Sequence, residues 1–211
     1  MDDISEIRKV IPVSRETVER LETFVALLRK WQHAENLVSS KTLDEVWRRH
    51  IADSAELVPL FPGDRRWLDI GTGAGFPGLV IAIVGGAEYE VDLIESNRRK
   101  CAFLREAIRQ TGAVARVHEG RAEELLGAWS APVDRIAARA VAPLAQLLEI
   151  CEPLMTRGVP AAFHKGRGFE AEVAEASGHW TFDLVRHQSQ SGEGGAILEI
   201  KALNRKPNQV R

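Results

Sequence analysis

Most of the chain repeats one pattern, a short apolar run followed by a helical segment, and this alternation restricts the fold more than any other feature. Five such units follow one another between residues 66 and 177, and their apolar runs are "RWLDI", "YEVDLIE", "ARVHE", "VDRIAA" and "VPAAFH". Because crossovers between parallel strands are right-handed, such a succession folds into a parallel sheet with helices on both faces. The alternation therefore predicts an α/β fold.

Both ends of the chain depart from this pattern. Near the C-terminus, "TFDLVRHQSQ" and "AILEIKAL" are separated only by "SGEGG", which predicts an antiparallel hairpin at the sheet edge, and we expect the final "NRKPNQVR" to be disordered. Near the N-terminus, Ser14 is the expected N-cap of one long amphipathic helix, and Thr42 and Glu45, at capping-box spacing, open a second helix. We divide the chain into a helical extension, residues 1–62, and a core, residues 63–211.

A glycine-rich loop, "LDIGTGAGFPG", follows the first predicted strand and fits two cofactors. Gly73, Gly75 and Gly78 match the G-x-G-x-x-G turn of dinucleotide-binding proteins, whereas Gly71, Gly73 and Gly75 match the tighter turn that holds S-adenosylmethionine. Glu95, at the end of the next strand, is placed to bind a ribose hydroxyl, but both cofactors carry an adenosine ribose. The loop alone leaves the choice open.

Three further features favour S-adenosylmethionine over NAD. Gly71 directly follows the strand, so the dinucleotide register would begin two residues late. The chain beyond the five units is too short for the substrate domain of a dehydrogenase, and a hairpin that closes a parallel sheet is typical of class I methyltransferases, as is Asp69 before the glycines. These features predict a Rossmann-like class I S-adenosylmethionine-dependent methyltransferase sheet of five parallel strands plus the hairpin.

Composition limits the partners and the location. The 28 basic and 30 acidic residues give a net charge of -2, without the basic excess of a dedicated nucleic-acid binder. No apolar run approaches the roughly 20 residues of a membrane span, and the N-terminus does not resemble a signal peptide, so we expect a cytoplasmic protein that does not enter membranes. Cys101 and Cys151 lack metal-ligand spacing, and no metal is expected.

Five segments, in order, make the resemblance to a family specific: "NLVSS", "RRHIADS", "LDIGTGAGFPG", "DRIAARAVAPL" and "FHKGRG". Together they resemble the RsmG (GidB) methyltransferases of the bacterial small ribosomal subunit. The resemblance implies methyl transfer from S-adenosylmethionine to N7 of guanine 527 in 16S rRNA, with 16S rRNA or the small subunit as partner, and we expect a monomer. The chain has "ARA" where the family has "SRA", which puts a hydroxyl contact at Ala138 in doubt.

The resemblance also implies site residues. Gly71 and Phe76 would line the methionine and adenosine part of the pocket, Ala122 and Glu123 would flank the adenine, and Arg139 would touch the cofactor or the incoming base. With the glycine turn and the ribose-binding acid, the predicted cofactor-binding residues are Gly71, Gly73, Gly75, Phe76, Glu95, Ala122, Glu123 and Arg139.

Arg139 and Lys165 are the predicted catalytic residues, because each follows an apolar strand at the edge of the sheet where ligands bind. His50 is interpreted as a half-buried helix residue, since nothing in the sequence pairs it with a nucleophile. N7 of guanine carries no proton, so no general base is required. A methyltransferase for a small molecule or a protein, and a non-catalytic nucleotide-binding module, remain alternatives.

Overall fold

One sheet of seven strands organises the protein in the computed structural model, which describes residues 3–189 and 194–207. The strands are β1 (Arg66–Ile70), β2 (Glu90–Glu95), β3 (Ala115–Glu119), β4 (Arg135–Arg139), β5 (Ala161–Lys165), β6 (Trp180–Gln188) and β7 (Ala196–Arg205). Their order in the sheet is β3-β2-β1-β4-β5-β7-β6. Strands β1 to β5 are parallel, whereas β7 lies between β5 and β6 and is antiparallel to both. The predicted α/β fold with a C-terminal hairpin is confirmed.

Helices cover both faces of this sheet. They are α1 (Ser5–Arg8), α2 (Arg15–Gln32), α3 (Ser40–Leu43), α4 (Asp53–Ala55), α5 (Leu57–Leu60), α6 (Gly78–Gly85), α7 (Arg98–Thr111), α8 (Ala122–Leu125), α9 (Leu144–Met155) and α10 (Phe169–His179). One buried cluster joins the helices before β1 with α6, α7 and one sheet face, and a second joins α8, α9, α10 and the other face. The helical extension therefore shares a hydrophobic core with the sheet. The boundary at residue 62 stays a prediction.

The N-terminal helices confirm one sequence prediction and correct another. Helix α2 begins after Ser14, whose hydroxyl accepts a hydrogen bond from the Thr17 N–H at 3.1 Å, as predicted. The predicted start of the second helix at Thr42 is wrong, because the hydroxyl of Ser39 caps the short helix α3 instead; the stretch after α3 is helical, but as a π-helical segment, Trp47–Ala52, followed by α4. The wider π turn is a feature often found at functional sites.

The C-terminal end extends further in the sheet than expected. Asn204 and Arg205 belong to β7, so the prediction that disorder begins at residue 204 is wrong; residues 208–211, like residues 190–193 of the hairpin connection, lie outside the described part of the chain. In the described part, none of the helices has the length and apolarity needed to span a membrane.

The strand order indicates one edge of the sheet as the expected place for a ligand. From β1 the chain moves outward through β2 and β3, then returns to the other side of β1 with β4 and β5. The connections after β1 and β4 therefore diverge and leave a crevice beyond the carboxyl ends of these two strands. Gly71 and Ala140 are the first residues after the two strands at this crevice.

Candidate active site

The glycine loop turns sharply as it leaves β1. Gly71 and Gly73 have φ values of +62° and +59°, in the left-handed region that glycine adopts without a steric cost. A Cβ atom on Gly71 would also lie only 2.9 Å from Cγ2 of Val141, in the loop after β4. Glu95 holds the turn from the next strand, because its Oε2 accepts from the Gly73 N–H at 2.9 Å and its Oε1 accepts from the Asn97 N–H at 2.7 Å.

A cavity of about 220 Å³ opens beside this loop. Four of the predicted cofactor-binding residues line it: Gly71, Glu95, Ala122 and Glu123. Gly73 and Gly75 have positive φ values in the turn but do not line this cavity, so their contact with a cofactor stays a prediction. The Phe76 side chain is 3% exposed and packs against Phe24 in the core, so the structure places it beneath the site, and its contact with a cofactor stays a prediction.

A second, larger cavity of about 550 Å³ lies on the side of β4 and β5. It contains the two predicted catalytic residues, Arg139 and Lys165, together with residues from the N-terminal extension and from α10. Val141 and Ala142 line both cavities and mark where these meet. A ligand in the smaller cavity and one in the larger cavity would therefore adjoin at the loop after β4.

Arg139 is the centre of a polar cluster in the larger cavity. Its Nη1 donates to the carbonyl of Arg49 at 2.9 Å and to Oδ2 of Asp53 at 3.2 Å. Its Nη2 donates to Nδ1 of His50 at 2.7 Å, and the guanidinium carbon lies 4.9 Å from the centre of the Phe76 ring. Burial lowers the pKa of Arg139, an effect that Asp53 partly offsets, and the guanidinium remains protonated at neutral pH.

His50 is held neutral by this cluster. Because an arginine can only donate, Nδ1 of His50 must accept, and Nε2 then carries the proton toward the Thr42 hydroxyl 2.9 Å away. Burial and the charge of Arg139 lower the pKa of His50 to about 3. The ring also stacks on Phe76, with 4.9 Å between ring centres. With both nitrogens engaged, His50 has no free lone pair with which to act as a base.

Lys165 is fixed from two sides. Its Nζ donates to the carbonyl of Ala142 at 2.6 Å and to Oε2 of Glu172 at 2.7 Å, and the side chain is only 8% exposed. The ammonium group therefore connects the loop after β4 to α10. This differs from a solvated surface lysine and places a fixed positive charge on the wall of the larger cavity.

Asp69 is the second-last residue of strand β1, two positions before Gly71 at the start of the glycine loop. Its side chain is fully buried, and Oδ2 accepts from the Gly78 N–H at 2.8 Å. Burial raises the pKa of Asp69 to about 7. The carboxyl group connects the strand to the start of α6 and thereby holds both ends of the loop.

Several residues of the larger cavity were not predicted from sequence. Asp53 and Glu172 were not singled out, and the pairing of His50 with Arg139 joins residues 89 positions apart. For His50 and Asp53 the only signal was their position in "RRHIADS", one of the segments that carry the family resemblance. Within residues 3–189 and 194–207, no group of three or more His, Cys, Asp or Glu residues could hold a metal ion.

The family is decided by the extent of the match. A family model described as GidB, rRNA small subunit methyltransferase G, matches residues 17–200, which include the glycine loop and all the predicted site residues. The chain belongs to this family. The resemblance drawn from the five segments is confirmed.

Relatives in the GidB family extend along nearly the whole chain. Ribosomal RNA small subunit methyltransferase G of Methylorubrum populi is 47% identical over 92% of both chains. The protein of the same name from Rhodopseudomonas palustris is 46% identical over 96% of this chain and 88% of its own.

Solved structures show the same fold at low identity. An O-methyltransferase from Bacillus cereus, solved in complex with SAH, is similar with a TM-score of 0.57 and 15% identity over 95% of this chain and 96% of that one. Cofactor-bound Rv0187 from MTB has a TM-score of 0.59 and 16% identity over 85% and 89%. These similarities support the methyltransferase fold of the sheet.

Proposed function

We propose that the protein transfers the methyl group of S-adenosylmethionine to N7 of guanine 527 in the 16S rRNA of the small ribosomal subunit. The observation that carries this proposal is the match of residues 17–200 to the rRNA small subunit methyltransferase G family. The position of the two cavities supports it, because they adjoin beyond the carboxyl ends of β1 and β4. A small-molecule or protein methyltransferase could share the fold, but no observation favours one.

The smaller cavity suits the cofactor. S-adenosylmethionine, when bound, supplies a methyl group on a positively charged sulfonium. Glu95 lines this cavity and offers its carboxylate to a ribose, while Gly71 allows close approach because it has no side chain. Ala122 and Glu123 lie after β3, on the side of the cavity where the adenine would bind.

The larger cavity suits the acceptor base. N7 lies in the major groove, which in an RNA helix is too deep and narrow for side chains, so the target guanine must be unpaired or turned out of its stack. Because N7 of neutral guanine carries no proton, the chain needs to orient the base rather than to deprotonate it. The engaged nitrogens of His50 agree with this requirement.

The proposal is tested by locating the transferred methyl group. The protein is incubated with tritiated S-adenosylmethionine and small subunits from a strain that lacks the modification, and the label is mapped on the RNA. Label at N7 of guanine 527 is expected. Label on a ribosomal protein, on another base, or on a small molecule would contradict it.

We expect Glu95→Ala to weaken S-adenosylmethionine binding by roughly 1–3 kcal/mol. The variant has no carboxylate to accept a hydrogen bond from the ribose, and the Gly73 N–H loses its acceptor in the turn. Titration calorimetry measures the dissociation constant. Glu119→Ala is the matched control, since Glu119 ends the neighbouring strand β3 but does not line the cavity. An unchanged affinity in Glu95→Ala would remove Glu95 from the ribose.

The single-turnover rate of methyl transfer, with RNA and cofactor saturating, should change little between about pH 6 and 8.5. The physical reason is that N7 is already free of protons, in contrast to an exocyclic amine or a ribose hydroxyl. Since the pKa of Asp69 is raised to about 7, the profile is also measured in Asp69→Asn. A steep rise near pH 7 that persists in this variant would indicate a general base and count against N7.

A further inference from the structure

Glu172 lines the larger cavity. It lies in the first turn of α10, and its Oε2 already accepts two hydrogen bonds at 2.7 Å, from Nζ of Lys165 and from the Leu144 N–H. In the part of the chain that the structure describes, Oε1 takes part in no hydrogen bond. The side chain is 33% exposed, so a ligand can reach it. One oxygen therefore positions the group, and the other is available to a ligand.

Asp53, which also lines this cavity, differs in this respect. Its Oδ2 accepts from Arg139 at 3.2 Å and its Oδ1 accepts from the Ser189 hydroxyl at 3.3 Å. Both of its oxygens already have a donor. Each of these oxygens can accept a second hydrogen bond, but Oε1 of Glu172 has its full accepting capacity left, so Glu172 is the better placed of the two carboxylates to receive hydrogen bonds from a bound base.

Lys165 supplies the complementary donor beside it. An ammonium group has three N–H donors, and two of them bond to Ala142 and Glu172. The cavity wall thus offers a hydrogen-bond donor and a carboxylate acceptor side by side, both held by the protein. Such a pair recognises a ligand edge that carries an acceptor next to a donor.

Guanine has this edge. Its O6 accepts a hydrogen bond, while the adjacent N1–H and the N2 amine donate; adenine shows the reverse order, with an amine at C6 and an unprotonated N1. We propose that Glu172 and Lys165 select guanine, Glu172 by accepting at Oε1 from both N1–H and the N2 amine and Lys165 by donating to O6. N1 and N2 lie on the side of the ring away from N7, and the contact at O6 uses the lone pair of that oxygen, so the N7 lone pair stays free to attack. The inference rests on the proposed function.

The test compares guanosine with inosine, which lacks only the N2 amine, at the target position of 16S rRNA in reconstituted small subunits. For the wild-type chain we expect kcat/KM for methyl transfer to fall about 10-fold from guanosine to inosine, as for loss of one base contact. In Glu172→Gln, activity toward guanosine should fall about 10- to 100-fold, and the further penalty for inosine should largely disappear.

The penalty is the ratio of kcat/KM for guanosine to kcat/KM for inosine, measured with one and the same variant. If Glu172 had only a structural role, its substitution would lower both rates and leave this ratio unchanged. Glu175→Gln is the matched control, since Glu175 lies one turn further along α10, is exposed and does not line this cavity. It should keep the wild-type penalty. Glu172→Asp keeps the charge but shortens the side chain, and it should also reduce the penalty. This variant tests the same prediction if Glu172→Gln does not fold.

The outcomes separate the inference from the proposed function. If the wild-type chain leaves the target guanine unmethylated, the proposed function is wrong. If it methylates guanine, but Glu172→Gln and Glu172→Asp show the same penalty for inosine as the wild type, only the assignment of Glu172 is overturned. A wild-type chain that methylates inosine as well as guanosine would overturn the assignment too.

Discussion

Arg139→Ala is expected to reduce kcat/KM for methyl transfer to small-subunit RNA by about 100-fold or more, the usual order of magnitude when a fixed hydrogen-bond donor is removed from a catalytic site. Arg139 has side-chain contacts to Arg49, His50 and Asp53, and it lies at the end of β4, where the two cavities adjoin. Its loss would take this charge partner from Asp53, whose side chain is only 15% exposed. Arg139→Lys should not restore the rate, since an ammonium cannot make the same set of hydrogen bonds.

Three measurements on the same variant make this result interpretable. Circular dichroism and a melting curve show whether the fold is retained, as we expect. Calorimetry with S-adenosylmethionine distinguishes the two roles that the family resemblance implies, because a cofactor contact raises the dissociation constant and a contact only with the base does not. Arg116→Ala, an exposed strand residue outside both cavities, is the control. Wild-type turnover in Arg139→Ala would refute a catalytic role.

The second large effect is on stability. Asp69 is expected to make the free energy of unfolding fall as the pH rises from about 4 to about 7, by roughly 4 kcal/mol for this group alone. The folded chain holds this proton up to a pKa of about 7, because burial disfavours the charged form, whereas the unfolded chain releases it near the ordinary value of 3.8. Between these two values the native state binds more protons, so raising the pH favours unfolding.

Asp69→Asn removes this titration. Denaturant unfolding at several pH values measures the free energy of unfolding of the variant and of the wild type. The variant should lose less stability than the wild type between pH 4 and pH 7, whatever its stability at any one pH. Asp183→Asn is the control, because Asp183 is an exposed residue of β6 and far along the chain from the site. Parallel stability profiles for wild type and Asp69→Asn would show that Asp69 keeps an ordinary pKa.

Local patterns in the sequence determined the architecture. Apolar runs alternating with helical segments predicted β1 to β5 and their parallel order, and the short polar connection predicted the hairpin of β6 and β7. The glycine loop and the strand ends predicted which edge of the sheet holds the site, and Glu95, Ala122, Glu123, Arg139 and Lys165 all line a cavity there. These features are readable because a residue's own neighbours decide turns, caps and which face is buried.

The environment of each polar group was decided only by the tertiary structure. The sequence does not show that the π turn brings His50 to Arg139, that Lys165 is held by Glu172, or that Asp69 is fully buried below the loop. A hydrogen bond between distant segments and the removal of a charge from water both depend on how non-neighbouring elements pack. The sequence by itself therefore determined the fold and the family and predicted the location of the candidate site, whereas packing alone decided which of the residues there are charged, neutral or free to bind.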